Sequence, residues 1–230
     1  MLLLSLLAAS HHVVVLTYHE IVPDGFRGKL WFDTTVSEFK SEIRAMKKAR
    51  VHFISVSQLY DHLHHSAALP SRPVCLTFAD NYIGFKNFAY PVLKANRIPS
   101  AMFVHTGFVG SSIGRPKMSW ADLEQLDREG FVEVASQTVT HPLDLKTLSR
   151  RQLRREFWES KRDLENHLHH RVLDLAYPNG KFDRRCEEEA RLCGYRMAFS
   201  EVTRPADSSP GLYSVNRYVS TRWRDALKKL

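Results

Sequence analysis

The segment Pro73-Val-Cys-Leu-Thr-Phe-Ala-Asp-Asn81 starts as an apolar run and ends in polar residues. An apolar run of this length predicts a buried strand, and the polar residues that follow it predict a loop. Similar short runs recur along the chain, and longer stretches of helical period separate them. The predicted strands cover residues 12–18, 52–56, 73–78, 100–104, 132–135, 173–176, 195–199 and 214–219. This alternation is typical of repeated βα units around a mainly parallel sheet.

The intervening stretches predict helices at residues 35–50, 57–65, 85–96, 120–129, 149–169 and 184–193. Ser57, Ser119 and Ser149 stand at the start of three of these helices, where serine is a preferred N-cap residue. Gly130 and Gly194 stand where two of them should end, because glycine readily adopts the left-handed conformation that is common after the last helical turn.

Length and composition bound the architecture. The chain has 230 residues, 43% of them hydrophobic, which suffices for one large core and is short for two. We expect one domain over residues 12–230. Residues 1–11 include a short apolar stretch followed by small residues, which predicts either a truncated signal sequence or a disordered N-terminus. We therefore expect a secreted or cell-envelope location, and the stretch is too short to span a bilayer, which needs about 20 apolar residues.

Charge and cysteine content give weaker indications. The formal charge of +8 is the one feature that supports a nucleic-acid-binding hypothesis. However, the basic residues are spread over helical stretches without a recognisable nucleic-acid-binding motif, so we expect no nucleic-acid partner. The three cysteines form no CxxC pair and indicate neither a thiolate zinc site nor a disulfide framework. Cys75, in the segment quoted above, is expected to pack as a small hydrophobe. The sequence does not indicate an oligomeric state.

Four predicted strands end in polar clusters, which we expect to lie together because the carboxyl ends of parallel strands share one face of such a sheet. Asp80 and His141 belong to two of these clusters. Imidazole and carboxylate are common zinc ligands, so this pair predicts a metal site. Taken singly, the aspartate is also typical of a turn, and the histidine of a hydrogen-bonded polar group. The clusters cover residues 18–19, 77–81, 136–142 and 177–180.

These clusters resemble the motifs of the polysaccharide deacetylase family (NodB homology, carbohydrate esterase family four). Thr-Phe-Ala-Asp-Asn at 77–81 is similar to the family's T-F-D-D-G motif, and Ser-Gln-Thr-Val-Thr-His-Pro at 136–142 is similar to S-H-T-x-T-H-P. The resemblance continues through 18–21, 103–110 and 175–180, and it covers about 12–219. It implies a distorted, TIM-like (β/α) barrel of about seven to eight mainly parallel strands.

The resemblance also implies an activity, the hydrolysis of the acetamide C–N bond of N-acetylated polysaccharide. In such a reaction a divalent metal, most often zinc, polarises the carbonyl and activates water, a carboxylate accepts the water proton, and an acid protonates the leaving amine. Carried over by motif position, Asp80 and His141 are metal ligands. Ala79 takes the position of the catalytic base, and Gln137 takes that of the first metal histidine. Asn81 replaces the usual glycine and tolerates unusual backbone angles.

Other positions carry roles that the resemblance implies less specifically. The backbone amide of Tyr177 would assist an oxyanion, although Tyr-Pro-Asn-Gly at 177–180 is equally typical of a turn. Arg217 would orient a carboxylate, and with Ala79 at the base position that partner is gone. His19, Asn81, Pro178 and Asn179 would line the substrate groove, and a structural hydrogen bond is an equal alternative for His19. His105 follows a predicted strand, and no leaving-group acid is assigned.

Two functional hypotheses follow. The first is a metal-dependent deacetylase, impaired or inactive as written, because general-base assistance is typically worth ~10²–10⁴ in rate and the glutamine amide is a poorer zinc ligand than imidazole. The alternative is a non-catalytic glycan-binding protein that keeps the deacetylase barrel. Both predict an N-acetylated glycan as substrate or ligand.

Overall fold

The computed structural model describes residues 12–230. The predictions for residues 1–11 therefore lie outside the described residues. The described part contains ten strands and seven α-helices. The strands are β1 Val14–Tyr18, β2 Ile21–Val22, β3 Thr34–Thr35, β4 His52–Ile54, β5 Pro73–Ala79, β6 Ser100–Val104, β7 Val132–Ser136, β8 Asp174–Ala176, β9 Met197–Phe199 and β10 Tyr218–Val219. The α-helices are α1 Val36–Lys48, α2 Val56–His65, α3 Tyr90–Ala95, α4 Trp120–Arg128, α5 Arg150–Leu168, α6 Arg184–Leu192 and α7 Trp223–Leu227.

The main sheet is parallel and strongly curled. Its strands follow the order β10-β1-β5-β6-β7-β8-β9, and β4 pairs with the first half of β5. A single parallel bridge between Phe199 and Val215 connects the far end of the sheet to the segment that leads into β10. The predicted fold class, a distorted TIM-like α/β barrel, is confirmed. The carboxyl ends of its strands form one face, which we call the barrel mouth.

Strand β5 shows why the sheet is apolar on both faces. Val74, Leu76 and Phe78 belong to the larger core between sheet and helices. Cys75 belongs to a second cluster, formed by residues of β1, β5, β6, β7, β8 and β9 on the inner face, so the prediction that it packs as a small hydrophobe is confirmed. Strands covered on both faces are almost continuously apolar. Side chains alternate along a strand, so Ala79, an even number of residues beyond Cys75, faces the interior.

The helix ends largely agree with the sequence. Ser119 and Ser149 cap α4 and α5, each accepting a backbone hydrogen bond from the residue three positions later. Gly130 and Gly194 adopt positive φ after α4 and α6. The predicted N-cap at Ser57 is wrong. Ser55 caps α2, while the Ser57 hydroxyl donates to Glu133 at 2.8 Å.

Several segments differ from prediction. The predicted helix at 85–96 begins as a π-helix over Phe85–Ala89 and continues as α3. The predicted strand at 214–219 is reduced to the two residues of β10, and the short β2–β3 pair and α7 were not predicted. Two-residue strands are too short to produce an alternating pattern. Among the described helices, none combines the length and the apolar character needed to cross a membrane.

Candidate functional site at the barrel mouth

The loops after β5 and β7 bring the predicted metal pair together. Asp80 directly follows β5, and His141 lies five residues after the end of β7. His141 Nε2 lies 3.4 Å from Asp80 Oδ1, although the two residues are sixty-one positions apart in the sequence. The predicted proximity of this pair at the barrel mouth is confirmed. Neither side chain is freely solvated, since Asp80 is buried and His141 is partly exposed.

The backbone of both loops is held in an unusual conformation. Asp80, Asn81, Thr138 and His141 all have positive φ, at 70°, 39°, 74° and 52°. Non-glycine residues seldom adopt such angles, and each one costs on the order of 1–3 kcal/mol unless its surroundings impose it. In the loop after β7 the Thr138 hydroxyl accepts the amide hydrogen of His141 at 3.2 Å. The Glu156 carboxylate on α5 accepts the amide hydrogens of the two residues before His141, 139 and 140. These bonds fix where His141 points.

Gln137 supports the loop after β5 through its side chain. Its Oε1 accepts the backbone amide hydrogen of Asp80 at 2.9 Å, and its side chain is almost completely buried. An amide oxygen in this position holds Asp80 in the left-handed conformation. It is therefore already engaged with the backbone, at the position where the family resemblance implied a metal ligand.

Histidine side chains surround Asp80. Burial alone would raise the pKa of its carboxyl, but contact with His141 and the charges of His19, His141 and His105 hold this pKa well below its usual range. Burial lowers the pKa of His19, and the charges of Asp80 and Glu201 oppose this effect. The result is a carboxylate that stays ionised with three histidine side chains near it.

His105 and Lys117 are two members of the site whose roles the sequence did not predict. His105 Nε2 donates to the backbone oxygen of Asp80 at 3.0 Å, and Lys117 Nζ donates to the same oxygen at 2.9 Å. Burial lowers the pKa of His105 to about 4 and that of Lys117 to about 8. Lys117 comes from an irregular segment that an isolated bridge to Tyr82 holds in place. Such a segment has no periodicity, so nothing in the sequence pattern indicated that Lys117 would reach Asp80.

The base position contains no proton acceptor. Ala79 is the last residue of β5 and is buried, and its methyl group cannot accept a proton. Arg217 also lies in the interior, where Nε donates to the Ser200 carbonyl at 2.9 Å and Nη1 donates to Thr17 Oγ1 at 3.4 Å. Its Nη2 makes no hydrogen bond within the described residues and has Glu201 Oε1 3.9 Å away. Within the described residues, this fully buried guanidinium thus has a carboxylate at ion-pair distance but none in hydrogen-bond contact.

The loop after β8 differs from its predicted role in one respect. The backbone amide of Tyr177 donates to the Phe199 carbonyl at 3.0 Å as part of the sheet, so it is not free to stabilise an oxyanion. The Tyr177 hydroxyl donates to the Tyr213 carbonyl at 2.9 Å. Pro178 is buried, whereas Asn179 is exposed and reaches the Leu143 carbonyl at 3.3 Å.

Two other predicted groove residues differ in exposure. His19 is partly exposed, and its ring lies tilted against those of Trp31 and Phe32, with centroids 6.1 and 5.4 Å away. Asn81 is fully buried, and both polar atoms of its side chain are without a hydrogen-bond partner within residues 12–230. Of these two residues, only His19 borders solvent at the barrel mouth.

The residues at the mouth do not fit a metal site with three protein ligands. Asp80 and His141 lie close enough to share an ion, but the oxygen of Gln137 is engaged with the Asp80 amide. Within residues 12–230 no group of three or more histidine, cysteine, aspartate or glutamate side chains is arranged to hold a metal ion. A structural zinc site usually has four protein ligands and a catalytic site three, so this pair alone would hold a divalent ion weakly.

Comparisons with known proteins agree with the motifs. The protein YxkH of Bacillus subtilis, whose name assigns it to the polysaccharide deacetylases, is 28% identical over 145 residues, which are 63% of this chain and 50% of that protein. A poly-β-1,6-N-acetyl-D-glucosamine N-deacetylase of Staphylococcus aureus is 27% identical over 121 residues, which are 52% of this chain and 40% of that protein. The chain thus spans half or less of the length of these relatives.

Solved structures share the fold. The deacetylase PplD of Streptococcus pyogenes, in complex with acetate, superposes with a TM-score of 0.84 at 24% identity, over 95% of this chain and 97% of that one. IcaB from Ammonifex degensii superposes with a TM-score of 0.83 at 24% identity, with the same coverage of both chains. The model of the polysaccharide deacetylase family matches residues 66–198, more than half of the sequence. The chain is therefore a member of the polysaccharide deacetylase family.

Proposed function

We propose that this protein binds N-acetylated polysaccharide at its barrel mouth and hydrolyses the acetamide slowly or not at all. The observation that carries the proposal is the pair of side chains at 79 and 137. Ala79 has no proton acceptor, and the Gln137 oxygen is bonded to the Asp80 amide. Two departures at one site are expected once binding, rather than hydrolysis, is the retained function.

The energetic argument concerns the base. A positioned general base typically contributes ~10²–10⁴ in rate, which corresponds to about 3–5 kcal/mol of transition-state stabilisation. In this chain Arg217 would orient such a carboxylate, and its Nη2 has Glu201 at 3.9 Å instead of a hydrogen-bonded partner. Water activation at the mouth is therefore poorly supported by the residues present.

The argument for glycan binding rests on the polar groups that remain. His141 and Lys117 supply hydrogen-bond donors near the mouth, and Asn179 adds an exposed amide on the loop after β8. The Staphylococcus aureus relative carries the name of a deacetylase of poly-β-1,6-N-acetyl-D-glucosamine. A polymer of this chemical class, in which each ring carries an acetamide, is the ligand that we propose.

A divalent ion, zinc by preference, belongs to the proposal only as a weakly held ligand of Asp80 and His141. Titration of the protein with zinc in a calorimeter tests this, with Asp80→Ala as the variant that removes one ligand. We expect weak binding that Asp80→Ala abolishes. Tight binding with a defined stoichiometry would contradict a two-ligand site.

The main experiment compares acetate release with binding. The wild type and the double variant Ala79→Asp/Gln137→His are incubated with the N-acetylated tetramer tetra-N-acetylchitotetraose and with poly-β-1,6-N-acetylglucosamine, with zinc added. Calorimetry measures the binding of the same oligomers. We expect the wild type to bind and to release little or no acetate, and the double variant to release more. The absence of binding would refute the proposal, and rapid acetate release by the wild type would refute its catalytic half.

A second candidate, an impaired but still active deacetylase, is favoured by the intact pair of Asp80 and His141 at 3.4 Å. It predicts a slow release of acetate by the wild type that Asp80→Ala abolishes. If the release stays at background in both proteins, this candidate is excluded and the binding function remains.

A secreted or cell-envelope location is part of the proposal, because polymers of this class are extracellular ligands and residues 1–11 resemble a shortened signal sequence. Fractionation of cells that express the full sequence, followed by immunodetection, tests it. Recovery of the protein only in the cytosolic fraction would contradict the proposed location.

A further inference from the structure

A groove lies beside the barrel mouth, between residues 29–42 and the C-terminal segment 220–224. Its volume is about 360 Å³, and Trp31, Glu42, Trp223 and Arg224 are among its walls. Sites for small ligands typically measure about 300–1,000 Å³, so this groove suits a short portion of a ligand.

Trp31 connects the groove to the mouth. It lines the groove, while its ring centroid lies 6.1 Å from that of His19, whose pKa responds to the charges of Asp80 and His141. Trp31 is also 67% exposed. An exposed indole offers a flat apolar face and a polar N–H, both of which can contact a ligand.

The loop that presents Trp31 is held rigidly. Arg115 donates to Glu20 at 2.7 Å, to Asp33 Oδ2 at 2.8 Å and to the Gly28 carbonyl at 3.2 Å. Phe32 packs edge-on against the indole, with ring centroids 5.6 Å apart. These contacts reduce the conformational freedom of the backbone around Trp31, and such preorganisation favours binding.

The polar walls of the groove can bind sugar hydroxyls. Glu42 accepts the Tyr18 hydroxyl at 2.7 Å with one oxygen, and it forms no ion pair with any described residue. Arg224 stacks on Trp223 at 4.5 Å and likewise forms no ion pair within the described part of the chain. The groove thus combines an aromatic face with a free acceptor and a free donor, which matches a pyranose ring with its apolar C–H face and its polar edge.

We infer that this groove is a second sugar subsite, in which a pyranose ring of the bound polysaccharide stacks on Trp31 next to the ring held at Asp80 and His141. The inference rests on the proposed function, because it assigns the groove to the same N-acetylated polymer. It adds that the protein recognises at least two consecutive rings and therefore discriminates a chain from a single sugar.

The test compares ligands of two lengths. Calorimetry measures the binding of the β-1,6-linked N-acetylglucosamine tetramer and of the monosaccharide to the wild type and to Trp31→Ala, Trp31→Phe and Glu42→Gln. Trp158→Ala is the matched control, because Trp158 is also an exposed tryptophan, at 50%, but it lies on α5 in a different groove. Unfolding midpoints of all variants verify that they are folded.

We expect Trp31→Ala to weaken tetramer binding on the order of tenfold, within the range found for aromatic stacking. Glu42→Gln should weaken it less, whereas Trp31→Phe and Trp158→Ala should stay within about twofold of the wild type. The dissociation constant of the monosaccharide should be the same for Trp31→Ala and the wild type, because a single ring occupies the mouth.

Two results would overturn the inference alone: tetramer binding that Trp31→Ala leaves unchanged, or an equal loss for tetramer and monosaccharide, which would make Trp31 part of the mouth itself. If the wild type binds neither ligand, the proposed function fails, and the subsite fails with it.

Discussion

Replacing Gln137 by leucine removes the acceptor of the Asp80 amide and keeps most of the side-chain volume. In the native protein this acceptor lies 2.9 Å from the amide nitrogen and is almost completely excluded from solvent. Leucine leaves a buried N–H without a partner at a residue whose φ is +70°. We therefore expect Gln137→Leu to destabilise the fold and to loosen the loop that carries Asp80.

The magnitude follows from the unpaired donor. Leaving a buried amide without an acceptor costs about 1–3 kcal/mol. For a domain of 150–250 residues, each kcal/mol lowers the melting temperature by about 2–4 °C, so Gln137→Leu should lower it by roughly 2–12 °C. The matched control is Gln125→Leu, because Gln125 is exposed on α4 and donates only to Glu129. Substitutions of this kind usually change stability by less than about 0.5 kcal/mol.

Urea unfolding and thermal scans of the wild type and both variants measure these differences. Zinc titration of the same proteins adds a functional measurement. If Gln137 supports the backbone, Gln137→Leu loses stability in the absence of any metal. A variant as stable as the wild type without metal, but with weakened zinc binding, would show that the glutamine oxygen is a metal ligand and that our assignment of it is mistaken.

Three further changes test other parts of the structure. Burial raises the pKa of Glu42 from 4.5 to about 7. Its contribution to stability is therefore present below about pH 4.5 and is lost as the pH rises through 7. Because glutamine does not titrate, Glu42→Gln should make the urea unfolding midpoint less dependent on pH across this range. Phe78→Ala, which empties a fully buried ring position between sheet and helices, should cost about 3–5 kcal/mol in urea unfolding. Gly84→Ala places a Cβ against the Ile21 carbonyl and should cost about 1–3 kcal/mol, whereas Gly211→Ala, with open space around it, should leave the melting temperature unchanged.

Much of the fold could be predicted from the sequence because β5 and its neighbours are short apolar runs separated by amphipathic helices. The alternation predicted βα units around a mainly parallel sheet, and the motif resemblance supplied the barrel. The elements that were missed are those without a periodic pattern. β2 and β3 have two residues each, and α7 has five. The formation of elements this short depends on tertiary contacts rather than on a local sequence pattern.

The site was predictable only as far as strand ends determine position. The proximity of Asp80 and His141 follows from topology, because both residues lie in loops that follow the carboxyl ends of strands in one parallel sheet. The contact of Gln137 does not follow from topology, since its side-chain rotamer determines that its oxygen reaches the Asp80 amide. The position of Lys117 was not predictable either, because an isolated bridge, rather than a helix or strand, brings it to the Asp80 carbonyl.

The left-handed residues of the mouth have a consequence for redesign. Asp80, Asn81, Thr138 and His141 keep an uncommon main-chain shape, even though the chain as written has alanine and glutamine at the two positions discussed above. A designer who wishes to install hydrolytic chemistry in this barrel would start from a backbone that already has this conformation. The work would then lie in exchanging a few side chains, with the residue at 137 still supplying an acceptor to the Asp80 amide.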